Sequence, residues 1–133
     1  MKSSDKMNPL KFKLIIHGLI PSKKNSKEIR KNRKTQKSYI TSSDAFQQWH
    51  LQHMALLGPK CAGIHISPVS RIELKFSFDS RRKADLTNKA EGVMDLLVAL
   101  KVIKDDDWIT VPEVRMTGEY SKENPGCHVF IYG

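Results

Sequence analysis

Cysteine is scarce in this chain. Only Cys61 and Cys127 are present, far apart and in no C-x-x-C pair, which argues against a disulfide scaffold or a thiolate zinc site. Long apolar runs are missing too: none approaches the ~20 residues that a membrane span needs. Lys2 is followed by polar residues rather than an apolar stretch, so no signal peptide is expected, and reduced thiols in the cytoplasm are the predicted setting. There is no internal repeat, no glycine-rich phosphate loop and no G-x-S-x-G nucleophile elbow. Acids are the minority charge. Against 23 Lys and Arg stand 14 Asp and Glu, giving a net charge of +9 and a pI near 9.7. Such an excess suits a polyanionic partner, nucleic acid above all.

What remains is enough for one globular domain. Its 133 residues are 39% hydrophobic and 28% charged, which permits a real core. Residues 1–9 are polar and predicted to be a disordered tail, with a single domain over 10–133. Leu10, Phe12, Leu14 and Ile16 alternate as in a half-buried strand, ended by Gly18 and Pro21. Ser42, Ser43 and Asp44 offer caps for a helix over 45–57, closed by Gly58 and Pro59. The clearest strand carries Ile72, Leu74, Phe76 and Phe78 on one face. A second helix is predicted over 88–101, with Ala90, Met94, Leu97 and Leu100 as its core stripe. Residues 108–116 read as a strand interrupted by Pro112, and 128–132 as a final strand. The expected fold is α+β, or α/β with a mixed sheet: one compact domain with two main helices packed on a mixed β-sheet.

Charge is distributed unevenly along the chain. Residues 22–38 hold eight basic side chains and one acid, Glu28. Lys23, Lys24, Asn25, Lys27, Arg30, Lys31, Arg33 and Lys34 are candidate DNA-backbone contacts, although a charge run is also what a solvated loop looks like. The acids concentrate elsewhere. Asp85, Glu91, Asp95, Asp105, Asp106 and Asp107 lie within residues 81–109, flanked by a further candidate DNA contact, Arg81, Arg82 and Lys83. If the strand after Asp107 lies beside the strand ending at Phe78, these carboxylates are expected to meet. Carboxylates that meet repel unless a cation joins them, and oxygen ligands select Mg²⁺ or Mn²⁺. Such an ion serves phosphodiester hydrolysis. A structural explanation stands beside this one: Asn88 and Glu91 fit a capping box, Asp85 suits a helix N-terminus, and the three aspartates suit a soluble turn.

The segments D-L-T-N-K-A-E-G-V-M-D-L-L and V-I-K-D-D-D-W-I, with the earlier I-P-S-K-K-N-S, resemble the signature of RusA-type Holliday junction resolvases. The likeness runs from about Leu10 to Met116. It implies a RusA-like fold and a Mg²⁺-dependent crossover junction endodeoxyribonuclease. It also implies a homodimer directed at four-way and related branched DNA. Asp85 matches the first aspartate of the family's D-x-D-N, Asn88 its asparagine, and Asp105 and Asp106 the downstream pair. Two positions depart from the pattern. Thr87 replaces the second aspartate, and Glu91 stands where a catalytic lysine is frequent. The resemblance therefore implies a metal set of Asp85, Glu91, Asp105 and Asp106, with Glu91 restoring the lost carboxylate and Lys89, or a basic residue from Arg81 to Lys83, supplying positive charge in catalysis. On that expectation Asp85→Asn abolishes cleavage and keeps junction binding. The alternative expectation is a non-catalytic, structure-selective DNA-binding protein whose metal site Thr87 has disabled.

Overall fold

The computed structural model describes residues 8–21, 27–31, 38–42 and 44–133. Four strands form the main sheet: β1 (Leu10–His17), β4 (Arg71–Phe78), β5 (Val114–Tyr120) and β6 (Gly126–Tyr132). Their order is β1-β6-β4-β5. β6 runs antiparallel to both neighbours, whereas β4 and β5 are parallel. Two helices, α1 (Asp44–Cys61) and α2 (Leu86–Ala99), complete the layer arrangement. This is the expected α+β fold with a mixed sheet.

Alternation in the sequence decides which face of the sheet is buried. Leu14 and Ile16 of β1, Ile72, Leu74 and Phe76 of β4, and Val129 and Ile131 of β6 form one core with Phe46, Trp49 and Leu57 of α1 and Val93, Leu96 and Leu97 of α2. Gly126 opens β6 at φ +151°, and a Cβ there would run into the Ile16 carbonyl, so the close approach of β1 requires glycine.

Several boundaries differ from the sequence reading. α1 continues through Gly58 and Pro59 to Cys61, because Leu57 and Cys61 are both buried and packing overrides the local breakers. The strand expected over 108–116 starts only at Val114; Trp108 to Thr110 form a turn instead. Asp107 explains it: its Oδ1 accepts from the Thr110 N–H at 2.7 Å and its carbonyl accepts from Val111 N–H at 2.8 Å. The basic segment is not simply a loop. Its residues Lys27–Lys31 form β2, antiparallel to β3 (Ser38–Ser42) in a separate two-stranded sheet. Residues 1–7 of the expected N-terminal tail lie outside the described residues.

β4, α2 and β5 make a parallel crossover, and it governs where the acids go. In a parallel pair the end of one strand lies beside the end of the other, as Phe78 lies beside Tyr120. Asp85 follows the end of β4, while Asp105, Asp106 and Asp107 precede the start of β5. Adjacent strands therefore hold the two acidic groups at opposite ends of the crossover. An antiparallel pair would have brought them together.

Candidate active site

α2 is capped by Asp85. Its backbone is extended (φ −91°, ψ 110°), and Oδ1 accepts from the Thr87 N–H at 3.0 Å and the Thr87 hydroxyl at 2.6 Å. The cap is thus Asp85 rather than the Asn88–Glu91 box that the spacing also fitted. Asn88 is buried one turn further on, and Glu91 points to solvent. The carboxylate of Asp85 also sits at the positive end of the helix dipole. Thr87 orients that carboxylate through both bonds.

The far side of α2 is electrostatically different. Asp106 carries a carboxyl pushed above the ordinary aspartate range. Partial burial is the largest cause, followed by a side-chain hydrogen bond with Asp105 and the negative charges of Asp105 and Asp95. The Asp106 N–H also donates to Asp105 Oδ1 at 2.7 Å. Asp95, on α2, contributes the last and smallest of these effects on Asp106. It also lines a hollow of about 390 Å³ with Phe46, Gln47, His50 and Leu51 of α1. Asp107, next in sequence, behaves oppositely: the Thr110 N–H bond holds its carboxyl below the usual range.

Along α2 the rise is ~1.5 Å per residue, so Asp85 and Asp95 stand about 15 Å apart on the axis. Accordingly, among the described residues no group of three or more His, Cys, Asp or Glu converges to hold a metal ion. The expected set of Asp85, Glu91, Asp105 and Asp106 is not drawn into one cage. What the fold brings together is the pair Asp105 and Asp106, with the charge of Asp95 acting on Asp106 more weakly. Mg²⁺ commonly takes one or two protein carboxylates and completes its shell with water and substrate phosphate. Asp106 with a neighbouring carboxylate fits that demand, and a cation would relieve the repulsion that Asp106 feels from Asp105 and Asp95. Asp95 has no downstream partner visible in the sequence. Only the course of the chain after α2, through the buried Val102 and Ile103, puts Asp106 within the field of Asp95.

The basic candidates separate as well. Lys89 Nζ donates to the Ile20 carbonyl at 2.7 Å, and burial lowers its pKa. It ties α2 to the chain leaving β1. Arg81 lies over the Tyr120 ring at 4.3 Å, and Arg82 and Lys83 are exposed beside it. Lys27, Arg30 and Lys31 stand on β2. Lys23, Lys24, Asn25, Arg33 and Lys34 lie outside the described residues. No family model and no curated protein matches this chain.

Proposed function

We propose that this protein is a Mg²⁺-dependent, structure-selective DNA endonuclease acting on branched DNA such as four-way junctions. The observation that carries the reading is the pairing of Asp106 with Asp105, within the field of Asp95, in a chain of net charge +9. Like carboxylates held together raise the affinity of their site for a hard cation, and a basic protein draws the polyanion toward it. Asp106 and a neighbouring carboxylate would hold the ion. When bound, Mg²⁺ supplies Lewis-acid polarisation of a phosphoryl oxygen and a lowered pKa for attacking water. Arg81, Arg82, Lys83 and the basic segment 22–38 would bind the phosphates of the DNA arms. A homodimer would set two such sites about the two-fold axis of a junction.

The second reading is a non-catalytic DNA-binding protein, and a specific contact favours it. Asp85 and Thr87 satisfy each other at 2.6 Å as a helix cap, the bland role for a D-x-T-N sequence. Incubating an end-labelled four-way junction with protein and either Mg²⁺ or EDTA separates the two readings. Nicked products in Mg²⁺ alone are the expected result. A retarded but intact junction under both conditions would leave the binding protein.

A further inference from the structure

The face of the main sheet opposite the core has its own chemistry. Three aromatic rings follow one another on the central strand β6: His128, Phe130 and Tyr132, all half-buried. Same-face residues on a strand are about 6.7 Å apart, which leaves room for separate bases to lie against successive rings. Cations flank these rings from both neighbouring strands. Lys13 of β1 is paired in register with Phe130, and its Nζ lies 5.4 Å from that ring. Lys75 of β4 is paired with His128, and its Nζ lies 5.2 Å from the Phe130 ring. Both lysines are exposed. The carboxylate opposite Phe130 on β4, Glu73, is already engaged: Arg71 holds it at 2.9 Å. Along the β1 edge, Lys13 and Lys60 line a hollow of about 430 Å³.

We infer that this open sheet face is a binding surface for single-stranded DNA, separate from the carboxylates around α2. Only the choice of DNA over RNA rests on the function proposed above. Phe130 and His128 offer π-faces on which any base can stack, and Lys13 and Lys75 exchange their cation–π contacts for the phosphates of the same strand. The half-buried rings limit the surface to bases free of a duplex. A nuclease acting at branch points would thereby hold an unpaired strand on one side of the sheet while its carboxylates face the other.

The test is anisotropy of a labelled oligo-deoxythymidine, with an abasic oligomer of equal length, the matched duplex and the corresponding RNA as comparators. All are measured in EDTA at several salt concentrations, so the outcome is independent of cleavage. Phe130→Leu keeps apolar bulk and removes the ring. It is expected to weaken the base-bearing strand about tenfold and to leave the abasic strand unchanged. Lys13→Glu combined with Lys75→Glu is expected to weaken both and to flatten the salt slope by about 1.4, the value for two lost phosphate contacts on a single strand. Thermal melts of each variant establish that it is folded. Wild-type affinity in both variants would overturn the inference. So would tighter binding of duplex or RNA. A third overturning result is a change in sedimenting mass without a change in DNA affinity, which would make the face a contact between copies.

Discussion

The two ends of α2 carry the same functional group in opposite circumstances. At the N-terminal end Asp85 is surrounded by donors: the Thr87 N–H, the Thr87 hydroxyl and the helix dipole. Beyond the middle of the helix, Asp106 is partly desolvated, paired with Asp105 and within the field of Asp95, and its proton is held more tightly. A carboxylate supplied with donors stabilises the fold. A carboxyl crowded by its own kind costs stability and gains affinity for a cation. The comparison teaches that acidity in the sequence is not one signal: position on the crossover separates a structural aspartate from a candidate catalytic one.

Cleavage should break that symmetry most clearly. Asp106→Asn is expected to reduce Mg²⁺-dependent junction cleavage by about 100-fold or more, the scale of removing one electrostatic stabiliser from an active site. Asp85→Asn should be far milder, since asparagine caps a helix as well as aspartate does. Initial rates on labelled junction decide it, and an equal collapse in both variants would restore Asp85 to the metal set.

Stability should show the reverse order. Asp85→Ala removes the cap and is expected to cost about 1 kcal/mol in urea unfolding. Asp106→Asn is expected to raise the melting temperature slightly at pH 7. Because the folded-state pKa of Asp106 lies above its unfolded value of about 3.9, the native state binds more protons between the two. The contribution of this group therefore falls as pH rises through the folded pKa. The gain from Asp106→Asn should vanish in melts at a pH below both values. A melting temperature lowered at pH 7 would show that Asp106 is structurally engaged. Adding Mg²⁺ should raise the melting temperature of the wild type and leave that of Asp106→Asn unchanged, a readout that needs no DNA.

The smallest expected effect lies at the end of α2. Lys101 takes φ +63°, where the Val102 N–H closes on the Leu97 carbonyl at 3.1 Å. A non-glycine residue there is strained, so Lys101→Gly should stabilise by roughly 0.5–1 kcal/mol. Circular-dichroism melts at matched concentration check it. A loss would mean that the Lys101 side chain contributes more than its backbone costs.

Much of the architecture was legible because it depends on local periodicity. The alternation of Ile72, Leu74 and Phe76 and the stripe of Ala90, Met94 and Leu97 each dictate a buried face whatever lies opposite. The full extent of α1 was not legible: Gly58 and Pro59 argue for an end that burial of Cys61 outweighs. The candidate site was legible only as a list of acids. The charge of Asp85 suited a helix N-terminus, but its role as the cap itself replaced the expected Asn88–Glu91 box, and the effect of Asp95 on Asp106 depends on the chain path between them.

By itself, then, the sequence determined the charge, the core-facing stripes and the choice of elements, since these are properties of neighbouring residues. Strand direction was decided by the tertiary structure alone. Nothing local to Arg71–Phe78 or Val114–Tyr120 states that they pair in parallel, yet that pairing separates Asp85 from Asp105 and Asp106. Strand pairing is a long-range contact, chosen by how two helices and four strands bury their apolar faces together.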